Sequence, residues 1–228
     1  MKLILFDIDG TLLDSGGAGT RSLDYAFREL FSLDNAFREI NMAGKTDLQI
    51  INECLAKHGL EPDNGTVDGV IASYLKHLSI EINNNGKHLK PGIREALSVL
   101  CSMSTRCALG LLTGNIEQGA RIKLDPFDLN GYFPSGAFGS DDEDRNKLLP
   151  FALRRFEELC GKKIDPRDCV VVGDTPRDVY CAKPYGAACI GVATGHYRAE
   201  ALISAGADAV FNDLSDTAAF LTAALSPL

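Results

Sequence analysis

Hydrophobic and polar positions divide the chain into three stretches with different periods. The first is an apolar run, Leu3-Ile4-Leu5-Phe6, stopped at Asp7-Ile8-Asp9-Gly10-Thr11. A short apolar run ended by glycine predicts a buried strand that terminates in a turn. Beyond Gly16-Gly17-Ala18-Gly19, a flexible exit, the period is helical for about seventy residues. Leu23, Phe27, Leu30 and Phe31 make one stripe, and Val67, Val70, Ile71, Tyr74, Leu75 and Leu78 another. Between them Asp47 is placed to cap a helix carrying Leu48, Ile51 and Leu55. Leu23–Glu29 is nearly repeated at Leu33–Glu39. Two copies are too few for a solenoid, so the repeat reads as chance or local duplication in a helical region.

The polar run Asn83-Asn84-Asn85-Gly86 with Pro91-Gly92 marks the third stretch, where strands and helices alternate. Strands are predicted near Arg106–Leu112, Cys169–Val172, Ala188–Val192 and Ala209–Phe211, with helices over Ile93–Leu100, Leu148–Leu159 and Val179–Ala182. This alternation predicts an α/β fold with a parallel sheet covered on both faces. The expected division is a core of residues 1–14 and 88–228 with a helical insertion over 15–87. Ligands of such sheets bind beyond the C-terminal strand ends. The insertion departs just after Asp9, at that edge, and so is placed to act as a lid.

Composition narrows the function classes. The 228 residues are 45% hydrophobic and 24% charged, as in an ordinary globular protein. A formal charge of −8 argues against nucleic-acid binding, which calls for a basic face. No stretch approaches the roughly 20 apolar residues of a membrane span, and the N-terminus lacks signal-peptide architecture. The seven cysteines form no CxxC pair and suit reduced thiols in the cytoplasm. The four histidines lie singly, without zinc-site spacing.

The candidate chemistry lies at strand ends. Residues two apart in an extended chain project to one side, so Asp7 and Asp9 can face one pocket. Paired carboxylates repel unless a cation or shared proton intervenes, which suits a hard metal such as Mg2+ and a carboxylate nucleophile. A lone Asp-x-Asp-Gly is by default a solvated turn, but three downstream signals change that. Thr113-Gly114-Asn115 follows a strand and offers a hydroxyl and N–H groups to phosphate oxygens. Lys147 precedes an amphipathic helix, where it can neutralise phosphate and carboxylates. Val170-Val171-Val172 runs into Gly173-Asp174-Thr175-Pro176-Arg177-Asp178, a second acidic turn at the same edge.

Together these segments resemble the four motifs of the haloacid dehalogenase superfamily, in order: Asp7–Thr11, Thr113, Lys147 and Gly173–Asp178. The resemblance spans nearly the whole chain, and the insertion is similar to the family's small α-helical cap. Gly44-Lys45-Thr46-Asp47 resembles a cap segment of phosphoglycolate phosphatases. Lys147 is followed by Leu148-Leu149-Pro150, whereas many relatives place proline directly after this lysine. The resemblance implies a Rossmann-like three-layer core and a Mg2+-dependent phosphatase. In it Asp7 forms an aspartyl-phosphate, and Asp9 protonates the leaving alcohol and then activates water. Mg2+ lies among Asp7, the Asp9 carbonyl and Asp174, with Asp178 binding through water or orienting Asp174. Thr113, Gly114, Asn115 and Lys147 hold the phosphate.

The implied partner is a small phosphorylated metabolite, phosphoglycolate among the candidates, with Lys45 a cap residue for its recognition. Nucleic acid and membrane are not expected; monomer and homodimer both remain open. Asp9 argues against dehalogenase and phosphonate-cleaving relatives, which lack an acid there. The main alternative is a sugar-phosphate mutase resembling β-phosphoglucomutase. A phosphonate hydrolase or a phospho-receiver domain is more remote, receivers being shorter and lacking the insertion.

Overall fold

The computed structural model describes residues 1–226. The N-terminal apolar run forms β1 (Lys2–Phe6), and its alternation sets the layering. Leu3 and Leu5 pack into one helical layer, Ile4 and Phe6 into the other, because successive strand side chains face opposite sides. A short strand β2 (Leu13–Asp14) leads to three helices, α1 (Ala18–Phe31), α2 (Asp47–Lys57) and α3 (Asn64–Glu81). The chain returns through β3 (His88–Leu89), antiparallel to β2. Then follow α4 (Ile93–Ser102), β4 (Cys107–Leu112), α5 (Glu117–Leu124), β5 (Gly136–Ala137) and α6 (Leu148–Cys160). The last third holds β6 (Cys169–Gly173), α7 (Pro176–Ala182), β7 (Ala188–Val192), α8 (Ala199–Ala205), β8 (Ala209–Phe211) and α9 (Thr217–Leu225).

Six strands make one parallel sheet in the order β5-β4-β1-β6-β7-β8, the α/β architecture expected from the alternation. Central β1 sets Phe6 opposite both Leu111 and Val172. Asp7, Thr113 and Asp174 therefore leave the sheet along one edge. No helix among the described residues is long and apolar enough to cross a membrane.

Several elements depart from the sequence reading. Strand β5 is too short to show a period, and α8 and α9 add two helices to those the pattern predicts. Helix α5 shows no apolar stripe in the sequence because its buried face carries Gly119 and Lys123. The repeat diverges in structure: its first copy lies in α1, its second in turns, with Asn35 at φ 51°. Thr46, not Asp47, caps α2, its hydroxyl accepting from the Gln49 N–H at 3.1 Å.

The three inserted helices bury a cluster of their own, with Phe27 and Phe37 meeting edge to face at 4.7 Å. Ile116, just before α5, enters that cluster from the sheet side and joins the two parts by apolar contact. Ile116→Ala is expected to lower the unfolding free energy by about 2–4 kcal/mol in urea titration, as buried isoleucine truncations do.

Candidate active site

Asp7 sits where β1 leaves the sheet, 4% exposed, its backbone N–H still bonded to the Val172 carbonyl at 2.9 Å. Its Oδ1 accepts from the Ile8 N–H at 2.7 Å. Oδ2 lies 3.0 Å from Nη2 of Arg145, a residue absent from the sequence-derived site. The same nitrogen pairs with Asp178, and Nη1 donates to the Gly44 carbonyl of the insertion at 3.2 Å. Burial raises the Asp7 carboxyl above its usual range, the Arg145 charge opposes this, and Asp178 adds to it. Burial likewise disfavours the Arg145 charge, but Asp178 and Asp7 outweigh it and hold the guanidinium protonated.

The structure places Lys147 apart from these residues. Its side chain is 60% exposed and pairs with Asp142 at 3.4 Å, outside the cavity. Arg145 and Lys147 share one tight 3-10 turn, so the side that admits Arg145 turns Lys147 outward. The sequence carried a signal for this. The buried stripe of α6, Phe156, Ala152, Leu149 and Leu148, extends backward at helical spacing to Arg145 and not to Lys147.

Asp174 follows β6, its Oδ1 accepting from the Thr11 hydroxyl at 3.0 Å. A Cβ on Gly10 would stand 2.4 Å from Asp174 Oδ2, and one on Gly195 only 1.7 Å, so two glycines make room for this carboxylate. Burial raises Asp174 well above its usual range, with Asp178 and Asp7 adding repulsion. Asp178 is fully buried in the first turn of α7. Its Oδ2 accepts from the Thr175 N–H at 3.0 Å and hydroxyl at 2.8 Å. Asp7, Asp174 and Asp178 bring carboxylate oxygens within 4.8 Å of one another. Three buried oxygen donors facing one guanidinium leave an excess of negative charge, and such a donor set suits a hard divalent cation.

Asp9 lies beyond Asp7 and faces the same cavity. Its Oδ2 accepts from Asn115 Nδ2 at 2.8 Å and from Lys123 Nζ at 2.7 Å. Sequence reading missed Lys123. Its one signal was a lysine on the otherwise small and apolar face of α5. Asn115 also donates to the buried Thr113 hydroxyl at 2.9 Å, so its amide braces the site from within. Gly114 is covered by the insertion: a Cβ there would stand 2.1 Å from the Lys45 carbonyl. Lys45 lines the cavity with its ammonium paired to Glu53.

The loop Gly44–Asp47 is clamped to the sheet edge. The Asp47 N–H donates to the Gly114 carbonyl at 2.7 Å, and the Thr46 hydroxyl to the Glu143 carbonyl at 2.7 Å. The Asp47 carboxylate accepts from the Ile116 N–H at 2.9 Å and so satisfies the start of α5 from the clamped loop. The cavity beneath this loop is about 370 Å³ and opens to solvent. Five of the seven cysteines are buried, and burial pushes the Cys54, Cys169 and Cys181 thiols up to about 12, so these stay protonated at neutral pH.

Burial raises Asp47 from the usual 3.8 to about 6, with Lys123 and the Ile116 N–H opposing. The folded chain thus holds this proton more tightly than the unfolded chain. The resulting stabilisation is complete below pH 3.8 and is lost as pH rises through 6. Asp47→Asn keeps a carbonyl acceptor for Ile116 and removes that dependence. Its stability relative to the parent is expected to climb between pH 4 and 6 and level off above, in urea titrations across that range. A difference independent of pH would show that Asp47 does not titrate there.

Residues 1–186 match the family model of haloacid dehalogenase-like hydrolases. The phosphoglycolate phosphatase of Rhodospirillum rubrum is 30% identical over 220 residues, covering 94% of this chain and 88% of that protein. The phosphoglycolate phosphatase of Pseudomonas fluorescens is 28% identical, covering 99% and 85%. The crystal structure of a predicted phosphatase from Clostridium acetobutylicum shares the fold at a TM-score of 0.73 and 22% identity, over 96% of this chain and 98% of that one. CbbY from Rhodobacter sphaeroides in complex with phosphate shares it at 0.73 and 18%, over 95% and 96%. With its parallel sheet, its carboxylates at one edge and a family match over most of its length, the chain belongs to the haloacid dehalogenase-like hydrolases.

Proposed function

We propose that the chain is a Mg2+-dependent phosphatase of small soluble phosphomonoesters, acting through an aspartyl-phosphate on Asp7. The observation that carries this reading is the pairing of Asp7 with Arg145 at 3.0 Å, beside Asp9, in a cavity roofed by Gly44–Asp47. The Asp7 and Asp174 carboxylates and the Asp9 backbone carbonyl would hold Mg2+, with Asp178 steadying Arg145 behind them. Bound there, the ion supplies positive charge against the ester phosphate and the carboxylates.

Asp7 attacks phosphorus in line with the departing oxygen. A bond forms from Asp7 to phosphorus, the ester P–O bond breaks, and Asp9 gives its proton to the leaving alcohol. Asp9 then takes a proton from water as that water attacks the aspartyl-phosphate, releasing inorganic phosphate and restoring Asp7. Arg145 and the Thr113 hydroxyl balance charge on the equatorial oxygens, where most catalysis of phosphoryl transfer resides. Similarity to phosphoglycolate phosphatases makes a short phosphorylated carboxylic acid the first substrate to test, and the cavity of about 370 Å³ has room for one. Lys45, at the cavity wall, is the proposed contact for the substrate's carboxylate.

Phosphate release from a panel of small esters, phosphoglycolate included, tests the reading with Mg2+ and with EDTA. Turnover is expected to require Mg2+ and to be abolished in Asp7→Asn. Interconversion of sugar phosphates without net phosphate release would favour a mutase instead.

The two basic residues of the 3-10 turn separate cleanly in the same assay. Arg145→Met is expected to lower kcat/KM by roughly a hundredfold or more, as loss of a charge-stabilising contact does. Lys147→Ala is expected to stay within about twofold, as for an exposed ion pair. Equal losses from both would remove Arg145 from the site.

A further inference from the structure

We propose that Lys123 is the positioning residue that holds Asp9 in line with the leaving oxygen. The proposal rests on the phosphatase reading, in which Asp9 supplies a proton to the departing alcohol. Lys123 is 4% exposed, and a buried ammonium is tolerated only where it is paired and hydrogen-bonded. It donates to Asp9 Oδ2 at 2.7 Å and to Asn115 Oδ1 at 2.6 Å. Asn115 Nδ2 closes the triangle on the same Asp9 oxygen at 2.8 Å.

The chemistry of the three groups fixes their orientation. Lysine only donates, so the Asn115 carbonyl must face it, and the Asn115 NH2 must then face Asp9. Oδ2 of Asp9 is held from two sides. Oδ1 accepts no hydrogen bond among the described residues, and the side chain keeps 41% of its surface exposed in the cavity. One oxygen is pinned and the other is left to carry the transferable proton. Without the clamp a carboxyl this exposed would rotate freely. A proton donor must lie within hydrogen-bond reach of the leaving oxygen, and misplacement by an ångström costs rate steeply.

The surroundings support a dedicated role. Lys123 stands on the buried face of α5 beside Ala120 and Leu124, a face that is otherwise small and apolar. Helix α1 of the insertion approaches from above: a Cβ on Gly19 would lie 3.4 Å from Nζ. Asp47 adds negative charge from the clamped loop, so the ammonium is held between both parts of the molecule. Lys123 keeps its protons throughout. The proton lost from Asp9 Oδ1 goes to the alkoxide as the ester P–O bond breaks and the Asp7–phosphorus bond forms.

The test compares leaving groups. With 4-nitrophenyl phosphate the phenolate departs without a proton; an alkyl phosphate needs one. Because kcat/KM reports the steps up to the first irreversible one, it isolates proton donation from later hydrolysis. Lys123→Met is expected to lower kcat/KM roughly thirtyfold or more on the best alkyl ester and within about threefold on the aryl ester. Equal losses on the two esters would overturn the proposal and leave Lys123 a structural counter-charge. Should Lys123→Met fail to fold by circular dichroism, Lys123→Gln, which keeps a donor amide, is read by the same ratio with a smaller split expected. A parent protein inactive on both esters would remove the phosphatase reading and this assignment with it.

Discussion

The site depends on one guanidinium. Asp7 and Asp178 are buried at the carboxyl edge of the sheet, and Arg145 pairs with both. Removing one partner of a buried ionic cluster strands the other charges in a poorly solvated place, which is far costlier than losing a surface pair. Arg145 also reaches the Gly44 carbonyl, so one cation ties nucleophile, supporting carboxylate and insertion together. Lysine could not make these contacts in the same way, because its donors radiate from one atom whereas the guanidinium spreads them over a rigid fork.

A second cation divides the labour. Lys123 bonds to Asp9 and faces Asp47, much as Arg145 serves Asp7 and Asp178. Each base thus offsets two acids, and Asp174 is left with a hydroxyl from Thr11. The uncompensated charge gathers where burial and repulsion already push Asp174 upward. That is where a divalent cation would do most to relieve the site, and where Gly10 and Gly195 leave the carboxylate room.

The insertion is engaged with the sheet edge through polar contacts at Gly44–Asp47 and an apolar contact at Ile116. Asp47 satisfies an amide at the start of α5, and Lys123 projects from the same helix. Helix α5 therefore links the loop that covers the cavity to the side chain that steadies Asp9. Side chains from β1, α5 and the α6 approach meet because the parallel register brings their chain segments to one edge.

Local order and chain order were legible from the sequence. The apolar run Leu3–Phe6 stopped at Gly10 marked β1, the valines before Gly173 marked β6, and the amphipathic run after Lys147 marked α6. Asp7, Asp9, Thr113 and Asp174 stood out together, because their order along the chain and their places at the ends of apolar strands resemble one family's motifs, whereas each alone suits an ordinary turn or cap. The partners of the cations were not legible, since Arg145 and Lys147 are two residues apart with like charge, and Lys123 shows only as a lysine on the small and apolar face of α5. Charge and spacing belong to the chain, but which base is driven inward depends on the helix face that packs on the sheet. Helical spacing back from the α6 stripe favours Arg145 over Lys147, but only tertiary packing brings Arg145 onto Asp7 and Lys123 onto Asp9, because burial turns an ordinary charge into one that must find its partner.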